Sequence, residues 1–388
     1  PDDPDYDPNY TIPVANIIGG YRNRRSAFRP PSIVNVSAMS FGSLSGNAIH
    51  ALNAGSCLAG CLHNTGEGGI SPHHLQGGDL IWQIGTGYFG CRDEQGRFDL
   101  DRLVETTQEH SSVRAIELKL SQGAKPGLGG QLMAKKVTPE LAEIRGIPAG
   151  IDLRSPSRHP DILGADDLVI KIEEFREATG YRLPVSVTLG AGRVRDDIKI
   201  AVKDGFDFVE LDGMQGATGA GSSEVIDHVG IPTLPAIIEA LDAWAEIGRR
   251  QDIQIVLMGG LRDGVDAVKS LCLGADAAAF VTSVLIAGGC IACMQCHVGQ
   301  CVTGIATQDP EHEKRYQPQE EALNIHRFLE VVRWQVAAIT DGLGHSDVSA
   351  LSRDDLVALT PDAAAITGLP YEPELRNRAQ TPVQKEAV

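Results

Sequence analysis

Between residues 33 and 283 the sequence alternates two patterns, and this alternation limits the available folds more than any other feature. Short apolar runs, each closed by glycine or a polar turn, recur at Ile33–Ser37, the stretch up to Thr65, Ala115–Ser121, Val185–Leu189, Phe206–Asp212, Ile253–Gly260 and Ala277–Ser283. Helical spacing fills the intervals at Asn47–Ala59, Asp166–Ala178, Val194–Lys203, Leu234–Arg249 and Gly264–Leu273. Strands that read as continuous apolar runs are covered on both faces, and in an alternating chain that means a parallel sheet. Seven or eight such units over about 250 residues predict an α/β fold, a (β/α)8 TIM barrel. The competing arrangement is an open doubly wound sheet, and no G-x-G-x-x-G follows the first strand to support it.

Three stretches lie outside a minimal barrel. Residues 1–30 are Pro-, Asp- and Arg-rich and read as an N-terminal arm, on the surface or against a partner. The segment 122–164 is a long insertion after the third strand, and structureless loops of that length are usually functional. Residues 311–388 read as a helical extension, with an amphipathic helix at Ala322–Ile339 and a frayed tail beyond about Glu372. The barrel itself would occupy 31–310, so the 388 residues hold one barrel with additions rather than two or three domains.

Composition removes several function classes. The formal charge is −17, from 34 basic and 51 acidic residues. Neither nucleic acid nor a membrane surface is an expected partner for such a chain. No apolar stretch reaches the length of a membrane span, and the opening PDDPDYDPNY is no signal peptide, so a cytoplasmic location is expected. At 42% hydrophobic and 22% charged, the chain can bury a large core. Its 43 glycines gather behind the apolar runs, where backbone approaches ligand.

Catalytic groups of a TIM barrel stand at the C-terminal strand ends. The first strand end carries Ala38, Met39 and Ser40; the second carries Thr65 and, among glycines, Glu67. A lone Glu there is either a solvated turn residue or a group that reaches a ligand lying along the glycines. Lys119 falls inside an apolar strand, where an ammonium needs a partner. That partner is a neighbouring carboxylate or a flavin, whose anionic reduced form a cation favours. Lys125 and Arg145, both in the insertion, suit a small dicarboxylate. Gly259 and Gly260 after the seventh strand, with Thr282 and Ser283 after the eighth, occupy the phosphate-binding position of such barrels. The Gly-rich loop from Gly213 to Ala220, after the fifth strand, bears on the same phosphate.

Cys290, Cys293, Cys296 and Cys301 fall within twelve residues, whereas Cys57, Cys61, Cys91 and Cys272 are scattered. Four thiols so close are too tightly spaced for the two knuckles of a structural zinc site and suit an iron–sulfur cluster in a reducing compartment.

The motifs SAMSFGSLS, HNTGEGG, ELKLSQGAKPGLGGQL, ELDGMQGATGA, MGGLRDG and GCIACMQCHVGQCVTGIATQDP run in this order from Ser37 to Pro310. Together they resemble the FMN-binding synthase domain of glutamate synthase. The resemblance implies FMN and a 3Fe-4S cluster. Its C-x5-C-x4-C ligand spacing lands on Cys290, Cys296 and Cys301. Cys293 is additional, either a bystander, which is the reading preferred, or a fourth ligand that would make the cluster 4Fe-4S. The resemblance also places Lys119 and Gln131 against the flavin, 2-oxoglutarate on Lys125 and Arg145, and Glu67 beside the reacting carbon. Thr188 departs from the pattern, since relatives often carry Lys at that strand end.

The resemblance implies partners as well. Glutamate synthases carry a glutaminase and a β-helix domain, for which this chain has no room. It is similar to the stand-alone FMN subunit of N-methylglutamate synthase, where glutaminase-like and β-helix-like parts are separate subunits of a heteromeric complex. The expected chemistry is hydride transfer from FMN to an imine of 2-oxoglutarate, with ammonia or methylamine as the amine and glutamate as product or reductant. For this, Glu67 would need a pKa raised toward the reaction pH. An electron-transfer or scaffold subunit is the alternative of another class; the intact set Glu67, Lys119, Lys125, Gln131 and Arg145 argues against it. An FMN barrel with hydroxy-acid or isoprenoid chemistry is the third reading, and the cysteine run argues against that.

Overall fold

The computed structural model describes residues 12–18, 30, 32–216, 221, 223–248 and 253–372. Four strands open the fold: β1 (Val34–Val36), β2 (His63–Asn64), β3 (Leu80–Ile84) and β4 (Val113–Lys119). A short antiparallel pair, β5 (Gln131–Leu132) and β6 (Leu153–Arg154), stands apart from the main sheet. Then follow β7 (Val185–Gly190), β8 (Phe208–Asp212), β9 (Gln254–Met258) and β10 (Ala277–Phe280). The eight strands outside the pair are parallel neighbours in chain order, and β10 pairs with β1 to close the barrel. The expected (β/α)8 architecture is the observed one.

Around the barrel lie α1 (Gly46–Ala59), α2 (Leu100–Glu109), α4 (Ala165–Ala178), α5 (Val194–Asp204), α7 (Thr233–Ile247) and α8 (Gly264–Cys272), with α3 (Pro139–Arg145) in the insertion and short turns α6 (Ser223–Ile226), α9 (Thr282–Ala287) and α10 (Pro310–Glu313). Two elements of the barrel ring were not foreseen from the sequence. The strand Leu80–Ile84 reads LIWQI after a Gly-Gly-Asp turn, and its polar Gln83 interrupts the apolar run although every residue is buried. Helix α2 is mostly polar, burying only Leu103 and Thr107, and its sequence signal is the Asp99 cap, whose side chain accepts from the Arg102 N–H. The missed strand corrects the count. Lys119 ends the fourth barrel strand, so the insertion follows the fourth strand and not the third. Thr188 lies in the fifth, which ends at Gly190, and Asp212 ends the sixth.

The insertion is folded rather than loop-like. Thr138 caps α3 through its side chain, Pro139 takes the first helical position, and Gly146 ends the helix at φ +64°. The β5–β6 pair then holds both ends of this unit together, and α3 delivers Arg145 at its last turn.

At the other end of the barrel, residues 12–18 pack under the strands. Ile12, Val14 and Ile18 are buried, Ile33 N donates to Val14 O at 3.0 Å, and Gln254 Nε2 donates to Ile17 O at 2.7 Å. The rest of the expected arm, 1–11 and 19–29, and the tail beyond 372 lie outside the described residues. The C-terminal extension forms α11 (Pro318–Gly342), longer than its sequence pattern, and α12 (Pro361–Thr367). Helix α11 lies along α1 at Gly55, where an added Cβ would come within 2.7 Å of Ile325 Cγ2. Arg333 Nη1 donates to Ala59 O at 2.7 Å, and Gln335 Oε1 accepts the α8 Gly264 N–H at 2.8 Å. No helix among the described residues is long and apolar enough to cross a membrane.

Candidate active site at the barrel mouth

Glu67 stands on the turn that leaves β2. Asn64 Oδ1 accepts the Gly66 N–H at 3.1 Å, and Thr65 Oγ1 accepts the Gln83 N–H at 3.0 Å, so the turn is tied to β2 and β3. Lys119 ends β4, and its Nζ lies 3.5 Å from Glu67 Oε2. Both side chains are mostly buried, at 14% and 17% exposure. The partner of Lys119 in this structure is therefore a carboxylate, one of the two foreseen. His159, from the insertion, contacts the Lys119 carbonyl through Nε2 at 3.0 Å and packs on Tyr88. It fixes the strand end that carries Lys119, and the sequence reading did not single it out.

Arg145 reaches the same turn from α3. Its Nη2 donates to Phe41 O at 2.7 Å and its guanidinium lies 5.3 Å from the Phe89 ring centre. Burial pushes its pKa down to about 10, against the opposing pull of Glu67. Lys125 is likewise buried and pushed down by burial, with Glu67 again opposing. Burial would raise the Glu67 carboxyl, but Lys119, Arg145 and Lys125 together pull it below its ordinary value. The expectation of a raised pKa is thus corrected: with three cations around it, Glu67 starts as a carboxylate.

Two small clefts meet at Glu67 and Gly130. Lys119, Ser121 and Gln122 line one; Ser40, Gln131 and Arg145 line the other. A Cβ on Gly130 would press into Glu67 Oε1, so glycine lets the insertion close on the carboxylate without displacing it. The structure brings Ser40, Glu67, Gln131 and Arg145 to one wall. Ala38 and Met39 lie beneath, with Met39 N donating to Asn64 O at 3.4 Å.

The proposed phosphate residues form a second group on neighbouring strand ends. Gly213 N donates to Met258 O at 3.1 Å, Thr233 Oγ1 donates to Gly259 O at 2.6 Å, and Ser283 Oγ donates to Leu261 O at 3.1 Å. Gly259 and Gly260 turn at φ +100° and +78°, which side chains with a Cβ rarely adopt. Thr282 begins α9 beside Ser283. Gln215, not foreseen, accepts from Thr233 N and Oγ1 at 2.9 and 3.0 Å and roofs this corner. Ala217–Ala220 of the same loop lie outside the described residues.

The cysteine loop packs against this mouth from outside. Cys301 is buried, Cys290 and Cys296 are half-buried, and Cys293 is exposed. Ala292 and Met294 take positive φ, +52° and +57°, which winds the loop tightly, and Ala292 N points at Cys290 Sγ, 3.4 Å away. Burial raises the Cys301 thiol, but backbone N–H groups from Thr303 to Ala306 and the Thr303 hydroxyl outweigh it and lower its pKa. Lys136 Nζ donates to Ser43 O at 3.0 Å and to Cys296 O at 3.2 Å, and so joins this loop to the Ser40 wall. Among the described residues, no three His, Cys, Asp or Glu side chains converge on a point that a single metal ion would occupy.

Residues 17–346 match the family described as a conserved region in glutamate synthase. The chain belongs to the glutamate synthase family. It is 38% identical over 356 residues to a glutamate synthase large subunit-like protein of Rhizobium meliloti, covering 87% of this chain and 77% of that protein. An archaeal-type glutamate synthase [NADPH] of Thermotoga maritima is 38% identical over 320 residues, and the match spans 82% of this chain and 60% of that enzyme. Among solved structures, a flavocytochrome b2 variant with sulfite bound superposes with a TM-score of 0.58 at 16% identity, over 98% of this chain and 81% of that one. A mandelate oxidase variant with a monooxide FMN adduct gives 0.53 at 16% identity, over 88% and 82%. These two likenesses concern the fold.

This glutamate synthase family barrel has an interior its sequence did not advertise. One layer below the mouth, Asn64, Gln83, Glu117, Thr188 and Glu210 are all buried. Barrel interiors are usually filled by branched apolar residues. Thr188 thus places a hydroxyl where the resemblance led to an expectation of Lys, and it accepts from Gln83 Nε2 at 3.2 Å. Beside the layer, burial pushes the Asp212 carboxyl up to about 6, although Gly123 N donates to it at 2.7 Å. The missed signal was period two: Glu117 precedes Lys119 by two residues and Glu210 precedes Asp212 by two, so each pair shares a face of its strand.

Proposed function

We propose that this chain is the FMN- and iron–sulfur-containing subunit of a glutamate synthase-like complex, forming an amino acid from a 2-oxoglutarate-derived imine. The carrying observation is one carboxylate, Glu67, ringed by Lys119, Lys125 and Arg145 at the mouth of a closed barrel. Two of those cations come from the insertion and suit the two ends of a dicarboxylate. FMN fits the remaining residues: the left-handed Gly259–Gly260 turn and the start of α9 form a backbone corner for a phosphate, with Gln215 as its roof, and Lys119 stands at a strand end. Gly213, Ala38, Met39, Ser40, Thr65 and Gln131 complete the cofactor residues. Bound FMN would supply hydride to the imine carbon and accept it from an amino acid.

The chain's own residues then do three things. Lys125 and Arg145 hold the dicarboxylate. Their charge is shared with the substrate, so their pull on Glu67 weakens and its pKa rises toward the working range only when the site is filled. Glu67 moves the proton at the imine or carbinolamine nitrogen. The cysteine loop fits a thiolate cluster, since backbone N–H groups face the Cys290 and Cys301 sulfurs. Cys290, Cys296 and Cys301 would hold a 3Fe-4S cluster, which supplies one-electron transfer. Glutaminase-like and β-helix-like subunits are the proposed partners and ammonia source.

With methylamine the reaction needs no external reductant, because glutamate oxidised to 2-oxoglutarate and ammonia returns the same two electrons to the methylimine. The test is turnover of the reconstituted complex with glutamate and methylamine alone, set against glutamine, 2-oxoglutarate and a reductant. N-methylglutamate from the first mixture supports N-methylglutamate synthase; glutamate from the second alone supports a split glutamate synthase. A purified holoprotein with neither flavin nor iron–sulfur absorbance overturns both.

A further inference from the structure

The polar layer beneath the mouth contains two acids with no cation to pay for them. Glu117 and Glu210 are essentially inaccessible, and among the described residues no Lys, Arg or His side chain bonds to either carboxylate. Their partners are amides, hydroxyls and each other. Asn64 Nδ2 donates to Glu117 Oε2 at 2.6 Å and to Glu210 Oε2 at 3.2 Å. Gln83 Nε2 donates to Glu117 Oε2 at 2.7 Å, and Ser186 Oγ to Glu117 Oε1 at 3.5 Å. Among the described residues, Glu117 is therefore supplied with several donors and Glu210 with the Asn64 amide alone. Two carboxylates that share a donor in a buried site do not both ionise.

The Asn64 amide has a second contact. Its Oδ1 accepts the Gly66 N–H that sets the turn bearing Glu67. With its nitrogen fixed on two acids, the amide can present only its oxygen to Gly66. We propose that Glu117 and Glu210 hold one proton between them, Glu210 as the protonated donor and Glu117 as the ionised acceptor, and that through Asn64 this pair positions the Glu67 turn. The positioning role rests on the reading of Glu67 as the acid–base group; the proton sharing does not.

The surroundings agree. Burial, reinforced by the neighbouring Glu117, pushes Glu210 well above the carboxylate range, and burial also raises Glu117 despite its donors. The other charged groups that face the layer are Asp212 from β8, and Lys119 and Glu67 at the mouth above it. His63, next to Asn64 on β2, is pushed well below its ordinary value by burial and stays neutral.

The test uses the full chain without need of turnover. A carboxyl whose folded pKa is raised keeps its proton while the unfolded chain ionises. Stability is then lost as pH rises from the unfolded pKa to the folded one, by about tenfold in the folding equilibrium per pH unit. Glu210→Gln keeps a donor toward Glu117 and carries no such proton. Denaturant unfolding at pH 5 to 8 should show its stability rising against the parent by roughly tenfold per unit. Parallel curves would overturn the shared proton. Amide exchange tests the positioning. Gly66 should stay protected in Glu210→Gln but exchange at least about tenfold faster in Glu117→Gln, with Val187 in β7 as control. If Glu117→Gln does not fold, Glu117→Asp serves, since it keeps the charge but withdraws it from Asn64. Unchanged Gly66 exchange in the Glu117 variant would overturn the positioning role, whatever the complex is found to synthesise.

Discussion

Glu67 is a residue whose surroundings only the fold reveals. Its place among glycines marked it in the sequence, but the sequence does not show that three cations from β4 and the insertion converge on it, so the direction of its pKa could not be read. A depressed carboxylate stabilises the fold above its unfolded pKa, and that contribution is lost as pH falls through the folded pKa. Glu67→Gln should therefore cost on the order of 1 kcal/mol at pH 7, and the gap to the parent should close in acid. The same variant should lower turnover by about 10²–10⁴ while flavin absorbance is retained. Unfolding curves at pH 7 and pH 3.5, with steady-state rates, check both statements; unchanged turnover would remove Glu67 from the chemistry.

Among the elements, the strands that read as apolar runs were legible because burial on both faces leaves that trace, and Val185–Gly190 and Phe208–Asp212 fall where expected. Leu80–Ile84 was not legible, because its inward-facing Gln83 bonds a glutamate rather than an apolar neighbour, and a polar interior breaks the pattern by which strands are found. The fold of the insertion is written in its caps, Thr138, Pro139 and Gly146, although its length suggests a loop. The cysteine loop was legible as an element, while the contact of Lys136 Nζ with the Cys296 carbonyl was not, since that residue lies 160 positions away. Cys296→Ser is expected to abolish the broad iron–sulfur absorbance of the purified chain, and Cys293→Ser, altering an exposed position, to preserve it. Loss of absorbance in both would assign four ligands.

For the whole molecule, the notable arrangement is a barrel whose seam is covered from the far end of the sequence. Helix α11 lies along α1 and α8, beside the junction where Val34 pairs with Ala278. A chain shortened to residue 317 should expose the buried faces of Ile325, Leu329, Val332 and Val336, and by the area they cover lose most of its net stability of about 5–15 kcal/mol. A cooperative thermal transition in that shortened chain would show the extension to be dispensable. The seam also bears on synthesis. The first strand leaves the ribosome with its partner still some 240 residues behind it, which at cellular rates is a wait on the order of tens of seconds. Throughout that interval an unpaired edge and a half-built interior are open to neighbouring nascent chains. Most of the surplus of 17 negative charges lies beyond residue 200, so repulsion between such copies grows only as the ring nears closure.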